Sequence, residues 1–304
     1  MSIVYGPVPS WRLGRSLGVD VTPGDVKTCT FDCIYCQLGR TGRPLAERAQ
    51  FVSLEAMAAE LEAARGVGAD YVTFSGMGEP TLASNLGDAI RLAREVLGLP
   101  VAVLTNSSLM TRKDVREDLA CADVVVAKLD ASNQQLFKRI NRPVADLSLQ
   151  DIVQAISLFK AEYEGKLALQ MMFVAANKGL AADMAAIARW LAPDEVQINT
   201  PLRPSPVVPL SEEEIASIRE RFRDVTVIAV YDAPSPTVTP LDVDETRRRR
   251  PAGPQDAGRF VPERGHHESA RPVKTKERRS RRRQASPARP LDRRGGGGGA
   301  GPGR

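Results

Sequence analysis

The chain has 304 residues, with 42 Lys/Arg against 37 Asp/Glu, four Cys, two His and a formal net charge of +5. That charge is unevenly held: residues 247–304 carry 18 Lys/Arg against 5 Asp/Glu, whereas residues 1–246 sum to −8. Both histidines, His266 and His267, lie in the basic end, which excludes Ser/His and Cys/His catalysis from the first 246 residues. No run approaches the roughly 20 apolar residues of a membrane span. The start, MSIVYGPVPSWRLGRS, lacks the apolar core of a signal peptide, and three clustered cysteines plus one do not make a disulfide framework in a chain of this length. These features fit a cytoplasmic protein.

Residues 1–15, rich in Gly, Pro and Arg, read as irregular chain packed on something larger. A short strand follows from Ser16 and ends at Thr22-Pro23-Gly24, and the stretch TCTFDCIYCQLGRT (28–41) then forms a loop. Leu54, Met57, Ala58 and Leu61 have the spacing of an amphipathic helix, with Ser53 as its N-cap. From there strand-like and helix-like runs alternate. YVTFSG (71–76), VAVLTN (101–106), VVVAKLD (124–130), LALQMMFV (167–174), EVQIN (195–199) and VTVIAV (225–230) are strands. The runs between them are helices, one starting at Thr111 and another at the capping box Ser211/Glu214.

Repeated βα units with nearly continuous apolar strands call for a parallel sheet covered by helices. The fold class expected is α/β, a partial (β/α)6-type TIM barrel over residues 16–246, preceded by the irregular segment 1–15 and followed by a tail, 247–304. In such barrels chemistry sits at the C-terminal ends of the strands. The polar clusters fall there: the cysteine loop, SGMGEPT, TNSS, KLD and NTPLRPSP.

Cys29, Cys33 and Cys36 are three soft thiolates within eight residues, a set that suits an iron–sulfur cluster or zinc and leaves one ligand position open. Cys121, between a helix end and an apolar strand, reads as a small buried hydrophobe. Gly76 and Gly78 permit close backbone approach, and Glu79 offers an acceptor to a cation. Lys128 and Asp130 flank Leu129 and point to one face, either to pair or to bind. Arg12, Arg15, Arg40, Arg43, Arg139, Arg142 and Arg203 read as scattered, solvated surface.

The loop CTFDCIYC, with Tyr35 just before the last cysteine, resembles the motif of the radical S-adenosylmethionine (radical SAM) superfamily. The resemblance implies that Cys29, Cys33 and Cys36 hold a 4Fe-4S cluster whose fourth iron chelates S-adenosyl-L-methionine (SAM). It implies SAM contacts from Tyr35, from Gly76, Gly78 and Glu79 of SGMGEP, from Asn106 and Ser108 after the third strand, and from Asp130. It further implies that a reduced donor such as flavodoxin or ferredoxin supplies one electron and that SAM cleavage gives a 5′-deoxyadenosyl radical that abstracts hydrogen from a substrate.

Further landmarks (GPVPSWRLGRSLGVDV, LTNSSL, AKLDA, INRP, MMFV and VQINTPLRP) are similar to a group related to the enzymes that build wyosine-type tRNA bases. That relation implies tRNA as substrate. Two features depart from it: wyosine-forming enzymes carry further cysteines for a second cluster, and the first 246 residues are net acidic, unlike most polyanion binders. A protein or small-metabolite substrate, or a non-catalytic iron–sulfur protein that binds RNA, is the alternative. The tail, with RRRR, RRSRRR and GGGGG, has too few apolar residues to offset its ordering entropy and reads as disordered, either an RNA-binding arm or the product of a shifted reading frame.

Overall fold

Runs such as VVVAK and VAVLT can be strands only if both faces are covered, and the fold covers them. The computed structural model of the chain describes residues 1–232, 236–251 and 253; the stretch from 254 onward, most of the predicted tail, lies outside the described residues. The elements in chain order begin with β1 (Val4–Ser10), β2 (Gly14–Val19), β3 (Thr28–Cys29), β4 (Arg43–Pro44), α1 (Leu54–Ala63), β5 (Tyr71–Phe74), α2 (Leu86–Leu97), β6 (Val101–Thr105) and α3 (Lys113–Leu119). They continue with β7 (Val124–Lys128), α4 (Gln134–Ile140), α5 (Leu149–Glu162), β8 (Lys166–Met172), α6 (Ala181–Leu191), β9 (Glu195–Asn199), α7 (Glu212–Arg219), β10 (Val227–Ala229) and α8 (Val243–Arg249).

One sheet runs β1-β2-β5-β6-β7-β8-β9-β10, and a two-stranded ladder, β3-β4, stands apart from it. β1 is antiparallel to β2, and each later step is parallel. The six parallel steps from β2 to β10 are the repeated βα units expected from the sequence, and the sheet curls into a half-barrel. β1 and β10 remain edges among the described residues, so the barrel is open on one side. No described helix is long and apolar enough to cross a membrane.

Local chemistry sets the helix starts. The Ser53 hydroxyl accepts from the Ala56 amide, and Ser211 and Glu214 make a reciprocal capping box. Thr111 does not cap: α3 starts after Arg112, with no side-chain cap. Alternation along the strands then separates two environments. Val103 and Val125 join the large core under the helices, whereas Ala102, Val124, Val126 and Ala168 pack inside the half-barrel with Leu13. Further along the same inward faces come Lys128, Gln170 and Met172, so the apolar plug gives way to a polar cavity toward the strands' C-terminal ends.

Two sequence expectations need correction. Residues 4–10 are not irregular but form β1. Its two prolines are tolerated because it is an edge strand, with Pro7 inside a register shift between Tyr5 and Val8. The boundary at 247 also cuts through structure, because α8 spans Val243–Arg249 and Arg249 is 1% exposed. Its Nε donates to Asp20 Oδ2 at 2.9 Å, Nη1 to Glu245 Oε2 at 2.7 Å and Nη2 to the Ser2 carbonyl, and its guanidinium lies 5.0 Å from the Tyr5 ring centroid. The Thr246 hydroxyl accepts from the Gly6 amide at 3.0 Å. Helix α8 thereby fastens β1 to the barrel.

Candidate functional site

The cysteine loop is held at three places. First, Thr28 bridges to Gly78: Thr28 N–H donates to the Met77 carbonyl at 3.0 Å, and Glu79 N–H donates to the Thr28 carbonyl at 3.1 Å. A Cβ on Gly78 would lie 1.7 Å from the Thr28 oxygen, and one on Gly76 2.2 Å from Asp20 Cγ. The glycines of SGMGEP therefore permit close approach as expected, but the approaching groups belong to the chain itself. Second, β3 pairs with β4, closing the loop behind Cys29. Third, Ile34 N–H donates to the Ile140 carbonyl at 2.9 Å and Asp32 N–H to the Asn141 carbonyl at 3.1 Å, docking the loop on the end of α4.

Two side-chain amides reach the sulfurs: Asn106 Nδ2 lies 3.6 Å from Cys29 Sγ, and Asn141 Nδ2 lies 3.5 Å from Cys33 Sγ. Cys29 is buried, Cys33 and Cys36 are half-buried, and all three are free thiols. Burial, reinforced by Glu79, pushes the Cys29 thiol up to about 12, and burial also raises Cys33. Among the described residues no three Cys, His, Asp or Glu side chains meet as a single ion requires. Thiolates of a tetrahedral zinc site stand about 3.8 Å apart, given Zn–S bonds of about 2.3 Å. A cluster instead gives each thiolate its own iron. Three cysteines, two of them with amide donors on their sulfurs, fit that second donor set.

Glu79, expected to accept from a bound cation, is buried, and both its oxygens are engaged by the protein. Oε1 accepts from the Thr81 amide at 3.1 Å and from the hydroxyls of Thr81 and Thr105, both at 2.7 Å; Oε2 accepts from the Asn106 amide at 2.7 Å. Burial raises its carboxyl, and these four donors act the other way. Glu79 straps the end of β5 to the end of β6. Asn106 and Ser108 likewise turn toward the loop: Asn106 Nδ2 donates to Thr30 Oγ1 and the Ser108 hydroxyl meets the same oxygen, both at 2.7 Å.

Asp130 ties the cysteine loop to the sheet. Tyr35 Oη donates to Asp130 Oδ2, Asn141 Nδ2 donates to the same oxygen at 2.8 Å, and the Met172 amide donates to Oδ1 at 2.8 Å. Lys128 Nζ donates to Tyr35 Oη at 2.9 Å, sits 4.5 Å from the ring centroid and lies 3.8 Å from Asp130 Oδ2. Lys128 and Asp130 thus pair across Leu129, as one of the two sequence readings has it, and Lys128 also lines the cavity. Burial, then Asp130, raises the Tyr35 phenol well above its ordinary value, so it remains a donor.

The cavity itself, about 460 Å³, touches Tyr35, Cys36, Gly76, Gly78 and Lys128, and so gathers five sequence-predicted residues. Cys29, Cys33, Glu79, Asn106, Ser108 and Asp130 lie outside its lining. Arg12 and Arg203, read as solvated surface, line it too, as does Arg250 from the supposed tail. Asn141 lies in the INRP landmark, and nothing in sequence spacing tells that its amide reaches a cysteine 108 positions away. Cys121 is half-buried rather than buried, with Arg91 Nη1 2.8 Å from its sulfur.

A parallel half-barrel with a three-cysteine loop and a cavity at the strands' C-terminal ends defines the class of radical SAM enzymes. The Radical SAM superfamily model matches residues 26–174. A UPF0026 protein from Synechocystis sp. is 39% identical over 205 residues, 67% of this chain and 77% of that protein. Among solved structures, Streptococcus suis SuiB bound to S-adenosylmethionine is similar with a TM-score of 0.53 at 13% identity, over 71% of this chain and half of SuiB. Archaeal TYW1 is similar with a TM-score of 0.51 at 13% identity, over 70% of this chain and 72% of TYW1. These structural likenesses speak for the fold. The chain belongs to the UPF0026 family of the radical SAM superfamily and is a SAM-dependent enzyme of that superfamily.

Proposed function

We propose that Cys29, Cys33 and Cys36 hold a 4Fe-4S cluster and that SAM binds between it and the barrel cavity, past Tyr35, Gly76 and Gly78. The observation that carries this reading is the pair of amide donors on Cys29 and Cys33, with Cys36 reaching the cavity lining. Held by Cys29, Cys33 and Cys36, a 4Fe-4S cluster would supply reductive, one-electron cleavage of SAM, with the electron drawn from a reduced flavodoxin- or ferredoxin-type donor, and so the means of hydrogen abstraction from a substrate. The chain's own residues do the rest. Asn106 and Asn141 donate to thiolate sulfur, which favours the reduced cluster. Asp130 fixes Tyr35 and, through Asn141, the position of Cys33.

Within this reading tRNA base modification is the favoured role, supported by the landmark resemblance and by a fold shared with TYW1. The departures noted in the sequence keep a protein or metabolite substrate as the second reading. Anaerobic reconstitution with iron and sulfide, followed by assay for 5′-deoxyadenosine under reducing conditions, is the direct test. Product is expected from the native chain and none from Cys33→Ala; an intact cluster that binds SAM but makes no 5′-deoxyadenosine would sink the proposal. Comparing cellular RNA and metabolite masses between native and Cys33→Ala cells identifies the substrate.

A further inference from the structure

The cavity wall is one-sided in its chemistry. Arg12 comes from the β1–β2 hairpin, Arg203 from the loop after β9 and Arg250 from the residue after α8, and all three line the same space together with Lys128. No Asp or Glu is among the described residues lining it. Arg12 Nε and Nη1, Arg250 Nε and Gln170 Nε2 are buried with no hydrogen-bond partner, and every such lining atom is a donor. Burial, then the like charges of Arg250 and Arg203, pushes the Arg12 guanidinium down to about 9. Glu195 acts on it favourably but is engaged with Lys166 at 2.8 Å and Gln197 at 2.8 Å. Trp11 lies against the guanidinium, 4.9 Å from centroid to Cζ, covering a face and leaving edge donors open.

A buried donor without a partner is costly, and a set of unused donors of one kind specifies what would complete it. Guanidinium edges pair in bidentate fashion with carboxylate and phosphate oxygens. We propose that this wall is the binding site for an oxyanion of the substrate, a phosphate or a carboxylate, held by Arg12 and Arg250 with Gln170 as a further donor. The identification of that ligand as substrate rests on the radical SAM reading above; the anion site does not. SAM also carries a carboxylate, so the competing source is SAM itself.

The test is equilibrium dialysis of the full chain with inorganic phosphate, and separately with malonate, with and without saturating SAM. Saturable binding of one anion per chain is expected, unaffected by SAM and weakened at least about tenfold in both Arg12→Gln and Arg250→Gln. Arg15→Gln, which alters an exposed pair with Asp70, should bind as the native chain does. Tighter phosphate than malonate assigns a phosphorylated substrate, and the reverse assigns a carboxylate. Either order supports the site. Absence of saturable binding by both probes, native affinity in folded Arg12→Gln and Arg250→Gln, or one-for-one displacement by SAM overturns it. Cys33→Ala is expected to bind the anion while making no 5′-deoxyadenosine. A native chain that binds phosphate but makes no 5′-deoxyadenosine would overturn the radical reading and leave the anion site standing.

Discussion

Arg249 is buried and Arg12 half-buried, and the difference between their surroundings separates scaffold from site. Arg249 has two carboxylates, a carbonyl and a ring around it. Arg12 has a ring, two other arginines and unfilled donors. The first arrangement is complete without any ligand, so its stabilisation is realised on folding. The second is offset only in part by Glu195 and keeps unfilled donors for an anion to complete.

The largest effect is therefore expected at the complete site. Arg249→Met leaves Asp20 buried with only amide and hydroxyl partners and should destabilise the chain by about 3–5 kcal/mol, read from urea unfolding. A loss below about 1 kcal/mol would mean that α8 is not a fastening element. Next, Asn141→Ala removes donors to Cys33 and Asp130 together, and should cost about 1–3 kcal/mol. In a reconstituted protein it should also lower the cluster's midpoint potential, because a sulfur that loses an N–H donor favours the oxidised state. A redox titration with an unchanged potential would remove Asn141 from the proposed cluster environment.

At the incomplete site the sign reverses. Arg12→Met should leave stability unchanged or raise it by up to about 1 kcal/mol, while phosphate binding is lost. Clear destabilisation of this variant would erase the contrast with Arg249. The smallest effect concerns acid. Arg249 holds the Glu245 carboxyl below its ordinary value, so this contribution is present above the unfolded value, about 4.3, and is lost as pH falls through the folded one. Native stability should decline there, and Glu245→Gln should flatten that part of the profile in pH-dependent unfolding.

Much of the fold was legible because its signals are local. Ser53 caps α1, Ser211 and Glu214 form the capping box of α7, and the apolar runs at 71–74, 101–105 and 124–128 are parallel strands. Even so, β1 was missed because two prolines and a glycine hide an edge strand whose register shift accommodates them. The site was legible in type more than in role. The three cysteines and Tyr35 stand out in a single loop, but Glu79, Asn106 and Ser108 bind the protein itself, which no motif spacing reveals.

The sequence by itself determined the α/β class, the cysteine loop and the chemistry open to three adjacent thiolates, since each depends on residues a few positions apart. Only the tertiary structure decided that RRRR is divided: Arg249 sealed on Asp20, 229 positions away, and Arg250 turned to the cavity beside Arg12. Charge can be counted along a chain, but whether a charge is solvated, paired or left waiting depends on which distant groups the fold brings within a few ångströms of it.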